Sequence, residues 1–215
     1  MNPVIHIVDD DNSFRTAVGR LIASYGFRVA FYESGDQFLT TLPNAEPGCI
    51  LLDLQLPGLS GAALQERLAE TAPLLPIIYL TGAGNIQAGV RAIKAGAEDF
   101  LEKPASGETL KEAIDRALLE SERRQLEHDR VHALEVLVAS LTPREYEVFS
   151  LMVRGNRNKQ IAYTISTSER TVKAHRHCVM EKLGAKSLAE AVSIAERKGL
   201  LDTSPKPERR FDTSP

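Results

Sequence analysis

The sequence predicts a doubly wound α/β domain followed by a smaller all-α domain. Short apolar runs alternate with segments of helical length over residues 1–104, and this alternation is typical of a parallel sheet with helices on both faces. In the flavodoxin-like strand order, 2-1-3-4-5, the first and third strands are neighbours. The five predicted strands are Val4–Val8, Arg28–Phe31, Cys49–Leu52, Ile77–Leu80 and Asp99–Leu101.

Helix start signals occur between these strands. Ser34 and Gln37 have the spacing of a capping box, in which each side chain bonds a backbone N–H at the start of the helix. Ser60 and Ser106 are suitable N-caps because a serine hydroxyl can accept a bond from the first helical turn. These signals place a helix after the second, third and fifth strands.

The C-terminal part begins with a second capping box, Thr142-Pro143-Arg144-Glu145, after a long helical stretch over 106–139. That stretch loses its apolar stripe in the polar segment Ser121–Arg130, which indicates a solvated linker helix. The sequence therefore predicts an α/β domain at 1–120, a linker helix at 121–140, a helical domain at 141–200 and a disordered tail at 201–215, rich in proline, serine and charge.

Charge is distributed unequally between the two parts. Residues 1–120 contain 16 acidic and 9 basic residues, whereas residues 141–200 contain 6 acidic and 11 basic residues. The basic part could therefore contact a polyanion. The sequence has no apolar run of membrane-spanning length and no signal-peptide pattern near its start, so we expect a cytoplasmic protein that does not enter the membrane. Cys49 and Cys178 have no disulfide or zinc spacing.

Polar side chains lie at the carboxyl ends of four predicted strands. Asp9 and Asp10 follow the first strand, Asp53 the third, Thr81 the fourth and Lys103 the fifth. Carboxyl ends of parallel strands share one edge of the sheet, where ligands bind. Carboxylates that converge repel each other unless a cation is present, and oxygen ligands suit Mg²⁺. A carboxylate beside that metal can be a nucleophile toward phosphorus, which Thr81 and Lys103 would help to bind.

Over about 120 residues, this pattern resembles the receiver domain of response regulators. The matching motifs are Val-Asp-Asp-Asp ending at Asp11, Leu-Leu-Asp-Leu-Gln-Leu-Pro-Gly around Asp53, Leu-Thr-Gly ending at Gly82 and Asp-Phe-Leu-Glu-Lys-Pro ending at Pro104. The resemblance implies that Asp53 accepts a phosphoryl group, and that Asp9, Asp10, Asp53 and the backbone carbonyl of Gln55 hold Mg²⁺. It further implies that Thr81 and Lys103 bind the phosphoryl group, that Phe100 is a switch aromatic, and that Lys103-Pro104 is a cis bond.

Two helices in the basic part have the spacing of a helix-turn-helix. They are predicted at Lys159–Ile165 and Ser168–Leu183, and the second would enter the major groove. On a helical wheel, Val172, Val179 and Leu183 form the core stripe. Most of the residues expected to contact DNA lie on the other face or flank it, whereas Arg176 leans toward the core stripe. The expected contacts are Lys159 of the first helix and, in the second, Arg170, Thr171, Lys173, Ala174, Arg176, His177 and Lys182.

This half resembles the LuxR-type DNA-binding domain of NarL/FixJ regulators, from about Leu141 to Lys198. The matching motifs are Leu-Thr-Pro-Arg-Glu from Leu141, Gly155, Asn-Lys-Gln-Ile-Ala from Asn158, Thr-Val-Lys-Ala-His-Arg from Thr171 and Val-Met-Glu-Lys-Leu from Val179. The chain departs from the family pattern at Ser166, where glycine is common, and at Thr167 and Arg170, where apolar residues are usual. In the receiver, Ala105 replaces a bulkier aromatic residue.

The combined resemblance implies a transcription regulator and not an enzyme. Its expected partners are a sensor histidine kinase, double-stranded promoter DNA, RNA polymerase and, when phosphorylated, a second copy of the chain. Pairing is expected around Ile86–Ala95 and Ser106–Ala117, where Val90, Ile93 and Lys94 lie near an apolar edge.

Two alternatives remain open. Asp9-x-Asp11 after a first strand also fits haloacid-dehalogenase-type phosphatases, although that interpretation explains neither the motif around Asp53 nor the C-terminal half. The other alternative is a DNA-binding protein with a degenerate receiver, against which the full set of acidic residues argues.

Overall fold

The computed structural model describes residues 3–42, 46–82, 86–197, 199 and 200, and it leaves the side chain of Ile86 undescribed. The chain folds into two compact units, Met1–Glu127 and His128–Pro215, and the boundary between them falls inside one helix. The tail predicted at 201–215 lies outside the described residues. No helix of the described ranges is both long and apolar enough to span a membrane.

The first unit contains a parallel sheet with the predicted topology. Its strand order is β2-β1-β3-β4-β5, and every neighbouring pair is parallel, so the predicted fold class is confirmed. The strands are β1 (Val4–Val8), β2 (Arg28–Tyr32), β3 (Gly48–Asp53), β4 (Ile77–Thr81) and β5 (Asp99–Glu102). The helices are α1 (Asn12–Ser24), α2 (Gly35–Thr40), α3 (Gly61–Thr71), α4 (Ile86–Lys94) and α5 (Gly107–Ala139).

Helices cover both faces of this sheet because successive side chains of a strand point to opposite faces. Ile5 and Ile7 of β1 pack in one apolar cluster with residues of α1 and α5. Val8 belongs to the other cluster, with residues of α2, α3 and α4. Strands β1, β3 and β4 are buried along their whole length, as the continuous apolar runs of the sequence indicate.

His6 is a polar exception inside β1. Its Nδ1 lies 3.2 Å from the hydroxyl of Tyr32, and its Nε2 has no hydrogen-bond partner. Burial lowers the pKa of His6 to about 4, so the ring is neutral at physiological pH. The ring packs against Phe38 at a centroid distance of 5.6 Å and serves as part of the core.

Helix starts follow the predicted signals with one difference. Ser34 accepts a bond from the N–H of Gln37, but the Gln37 side chain accepts from the N–H of Glu33 and not from that of Ser34. The predicted box at Ser34 is therefore only half formed, because the chain before α2 turns Glu33 toward the glutamine. Ser60 and Ser106 accept from the N–H groups three residues later, as predicted.

Ser121, predicted as the first residue of a solvated linker, is buried in the first unit. Its hydroxyl donates to the carbonyl of Leu74 at 3.3 Å and accepts from the N–H of Gly48 at 3.4 Å. Two neighbours, Glu120 and Arg124, form an ion pair, and Arg124 also donates to the carbonyl of Pro73. These polar bonds attach α5 to the first unit beyond the end of its apolar stripe.

The second unit contains helices only within its described residues. Its core consists of apolar residues from the end of α5 and from the four helices that follow, with Val148, Phe149, Ile161, Val172 and Val179 all buried. Thr142 and Glu145 form the predicted capping box. The four helices are α6 (Pro143–Val153), α7 (Asn158–Thr164), α8 (Glu169–Lys182) and α9 (Leu188–Arg197).

The turn between α7 and α8 requires a positive φ at Ser166. Its φ is 51°, the only positive value at a non-glycine position among the described residues. The N–H of Thr167 then reaches the carbonyl of Ala162 at 2.9 Å and closes the turn. A serine in this conformation costs on the order of 1 kcal/mol relative to glycine.

We therefore expect Ser166→Gly to raise the free energy of unfolding of the second unit by about 0.5–1 kcal/mol. Thr167→Gly is the matched control, since Thr167 has no positive φ and its replacement should destabilise instead. Urea unfolding of both full-length variants, followed by far-ultraviolet circular dichroism, measures the difference. A Ser166→Gly variant less stable than the parent chain would contradict the inference that the backbone of Ser166 is strained.

Candidate functional site

Three carboxylates meet at the carboxyl edge of the sheet. Asp9 follows β1, and Asp53 ends β3, the strand beside it. One carboxylate oxygen from each of Asp9, Asp10 and Asp53 lies within 4.8 Å of the other two. Asp9 and Asp53 are buried and Asp10 is exposed, so the cluster opens to solvent on one side. The structure brings the predicted acidic residues together.

Lys103 lies between two of these carboxylates. Its ammonium Nζ is 2.5 Å from Oδ2 of Asp9 and 2.9 Å from Oδ2 of Asp53. Its backbone N–H donates to the carbonyl of Thr81 at 2.7 Å, which fixes the chain after β5. The bond to Pro104 is cis, as the resemblance implied. The ammonium also lies 4.2 Å from the centroid of the Phe14 ring, within the range of a cation–π contact.

Asp9 and Lys103 respond differently to burial. Burial raises the pKa of Asp9 above its usual value, although the bonds from Lys103 and from the N–H of Asp11 oppose this rise. Burial also disfavours the charged form of Lys103, but its bonds to Asp9 and Asp53 outweigh burial and raise its pKa. Lys103 therefore stays charged and balances part of the negative charge around it.

The loop after β3 brings its backbone close to Asp53. The N–H of Gln55 donates to Oδ1 of Asp53 at 3.1 Å, so each carboxylate oxygen of Asp53 has a donor. The start of α3 packs so tightly here that a Cβ on Gly61 would lie 2.5 Å from the carbonyl oxygen of Asp53. The role predicted for the Gln55 carbonyl stays a prediction.

Thr81 and Phe100 lie on the adjacent strands β4 and β5. Thr81 ends β4 and is 1% exposed. Phe100 of β5 is half-buried, with its ring centroid 6.3 Å from that of Tyr79. A Cβ at Gly89 of α4 would meet the Phe100 ring at 3.1 Å, so glycine leaves room for the aromatic ring against that helix.

A series of buried hydrogen bonds that joins β4, α3 and α4 was not predicted from the sequence. The Tyr79 hydroxyl lies 2.9 Å from the carbonyl of Gly61 and 3.0 Å from Oε1 of Gln65. The Gln65 amide donates in turn to the carbonyl of Ala92 in α4 at 3.2 Å. The tyrosine in an otherwise apolar strand was the available signal, because a buried hydroxyl needs a partner.

The predicted recognition helix, α8, has the expected division into two faces. Val172, Val179 and Leu183 are buried in the core of the second unit. Arg176 is half-buried, in agreement with its place beside that stripe. The other predicted contacts at the surface are exposed; they are Arg170, Thr171, Lys173, Ala174 and His177, together with Lys159 of α7.

Lys182 differs from the other predicted DNA contacts. Its ammonium lies 2.6 Å from Oε2 of Glu145, a buried residue of α6. This bond and the one from the N–H of Thr142 lower the pKa of Glu145 to about 2. Lys182 therefore joins α8 to α6 inside the second unit. The partners are 37 positions apart, and the helical wheel of α8 gives no sign of their pairing.

Comparisons with known proteins agree with the two halves of the structure. The profile of the response regulator receiver domain matches residues 5–115, and that of the bacterial regulatory proteins of the luxR family matches residues 139–195. The response regulator protein TmoT of Ectopseudomonas mendocina is 39% identical over 194 residues, which cover 90% of this chain and 88% of that protein.

Two further relatives extend over nearly the whole chain. The transcriptional regulatory protein FixJ of Bradyrhizobium diazoefficiens is 36% identical over 92% of this chain and 97% of its own. The solved structure of the response regulator StyR is 42% identical, with a TM-score of 0.72, and covers 92% of this chain and 100% of its own. The chain belongs to the response regulators of the NarL/FixJ type, two-component regulators of transcription that combine a receiver domain with a LuxR-type helix-turn-helix domain.

Proposed function

We propose that this regulator is activated when Asp53 accepts a phosphoryl group from a sensor histidine kinase, and that α8 then binds promoter DNA. The observation that carries the proposal is the position of Asp53 in a cluster of three carboxylates with the ammonium of Lys103 beside it. A nucleophile for phosphoryl transfer needs positive charge close by, since the incoming group is itself an anion.

The residues of this cluster fit a Mg²⁺ ion. Lys103 pairs with Asp9 and Asp53, so one described ammonium stands against a cluster of three carboxylates, which can therefore balance a further cation. Their oxygens are the hard ligands that Mg²⁺ prefers. Asp9, Asp10, Asp53 and the carbonyl of Gln55 would hold the ion. When bound, Mg²⁺ supplies positive charge to the oxygens of the transferred phosphoryl group.

Phosphoryl transfer follows from the chemistry of Asp53. A carboxylate oxygen of Asp53 attacks the phosphorus of a phosphohistidine, so a P–O bond forms while the P–N bond breaks. The leaving imidazole takes up a proton. Lys103, which contacts Asp53 before transfer, turns to the new phosphoryl oxygens, and the Thr81 hydroxyl donates to another of them.

The expected switch runs from Thr81 to α4. Movement of Thr81 toward the phosphoryl group opens space that Phe100 can fill, and the Phe100 ring already lies against α4 at Gly89. Any shift of the ring therefore changes the packing of α4. Phosphorylation can shift the equilibrium between the inactive and active conformations only as far as it stabilises one of them more than the other.

We expect Asp53→Asn to abolish stable labelling by radioactive acetyl phosphate, because an amide cannot be the nucleophile. Removal of Mg²⁺ with excess chelator should prevent labelling of the parent chain. Asp115→Asn is the matched control: this aspartate pairs with Lys111 on the surface of α5, and labelling should persist.

Labelling of Asp53→Asn at the parent level would contradict the proposal. Peptide mapping distinguishes the phosphatase alternative, in which Asp9 carries the label and phosphate is released with continuous turnover. Labelling in excess chelator would refute the requirement for Mg²⁺.

DNA binding is proposed for the exposed face of α8. Lys173 and His177 lie one helical turn apart and away from the core stripe, so both can reach a phosphate or a base edge. Lys182 remains in this proposed contact set, and its bond to Glu145 gives it a structural role as well.

Lys173→Ala and His177→Ala should each weaken binding about 5- to 150-fold to a duplex that the protein selects from a random pool, as expected for about 1–3 kcal/mol per lost contact. Fluorescence anisotropy at fixed salt measures this loss. Arg67→Ala removes a positive charge from an exposed position of α3, outside the two segments expected to pair, and should have little effect. Unchanged affinity of both α8 variants would mean that another face binds DNA.

Phosphorylation is also proposed to promote pairing of two chains, with RNA polymerase as a further partner at the promoter. Val90 and Ile93 of α4 are 49% and 46% exposed, which is high for apolar residues, and α4 is the helix that Phe100 contacts. A two-fold dimer raises DNA affinity because its two recognition helices bind linked half-sites.

Beryllofluoride, a phosphoryl mimic, should therefore produce a concentration-dependent dimer in sedimentation experiments. Ile93→Glu should prevent the dimer without removing the label from Asp53. Asp53→Asn with beryllofluoride is the control and should stay monomeric. An activated chain that binds DNA tightly as a monomer would contradict the proposal.

A further inference from the structure

Two histidines form an exposed pair on α5. His128 and His132 are four residues apart, so they lie on the same side of the helix in successive turns. Their ring centroids are 6.3 Å apart and their planes differ by only 12°. The side chains are 55% and 67% exposed, so both rings are open to ions in solution.

Each ring has a carboxylate beside the same nitrogen. Nδ1 of His128 lies 3.6 Å from Oδ1 of Asp129, and Nδ1 of His132 lies 3.6 Å from Oε2 of Glu135. A carboxylate near Nδ1 favours the tautomer that carries its proton on Nδ1. The lone pair is then on Nε2, at the outer end of each ring, which is the arrangement seen where histidines bind metals.

We propose that His128 and His132 bind one divalent late transition-metal ion, such as Zn²⁺, Ni²⁺ or Cu²⁺, through their two Nε2 atoms. Imidazole nitrogen suits these ions, and water would complete the coordination. Because both side chains are exposed, they can rotate to bring the two nitrogens to one ion. This site differs in chemistry from the Asp9-Asp10-Asp53 cluster, whose oxygen ligands suit Mg²⁺.

The position of this site gives the bound ion a structural effect. None of residues 128–137 is fully buried, and Leu134 and Leu137 are only partly buried against the core of the second unit, so this stretch of α5 has less of the core packing that stabilises most helices. An ion that joins two successive turns binds the helical form and not the unwound form. By mass action it stabilises the helix in this stretch, which belongs wholly to the second unit.

The test is a Zn²⁺ titration of the full-length protein in excess Mg²⁺, which occupies the oxygen cluster. Long-range ¹H–¹⁵N spectra of the imidazoles report which ring nitrogen binds the ion. We expect the Nε2 signals of His128 and His132 to shift together and to saturate at one ion per chain. His128→Gln and His132→Gln should each lower the affinity at least tenfold, whereas the control His175→Gln should not.

Three results would overturn the proposal. The first is an absence of any shift at both histidines with millimolar Zn²⁺. The second is equal affinity of the His132→Gln variant and the parent chain, which would mean that the rings do not act as a pair. The third is saturation at one ion per two chains with dimer formation in sedimentation, which would mean that the ion bridges copies. Circular dichroism checks that each variant keeps its helices.

Discussion

The contact of one ammonium with two buried carboxylates is the interaction on which the site depends. Parallel strands bring Asp9 and Asp53 to the same edge, and their negative charges would repel each other without Lys103 between them. Lys103 is held in turn by its backbone bond to Thr81, so the end of β5 is tied to the end of β4. A phosphoryl group at Asp53 would compete for this same ammonium. Movement of the Lys103 side chain would then act on the backbone bond that joins the ends of β4 and β5.

The packing of α4 relates this edge to the rest of the first unit. Phe100 contacts α4 at Gly89, while Gln65 holds the same helix by the carbonyl of Ala92. One contact is an apolar ring that can change position, and the other is a buried hydrogen bond that is costly to break. A helix attached in these two ways would pivot about its bonded end more easily than it would separate from the sheet.

The sequence predicted those features that depend on local patterns. Apolar runs located all five strands, and the phase of Val172 and Val179 identified the core face of α8. Bonds that residues of one helix make to distant parts of the chain were not predictable in this way. Glu145 was recognised as a capping residue but not as the partner of Lys182, and Ser121 was expected in solvent although it bonds to Gly48. Such bonds depend on how the helices pack, and the periodicity of each helix alone does not contain that information.

The two cysteines differ in burial, so their thiols should differ in reactivity toward added reagents. Cys49 is fully buried in β3, where burial raises the pKa of its thiol and keeps reagents away. Cys178 is half-buried on α8, close to the residues proposed to contact DNA. A maleimide added to the folded chain would thus modify Cys178 of α8 selectively. If α8 binds DNA as proposed, the rate of that modification would change as DNA occupies the helix, with no engineered label.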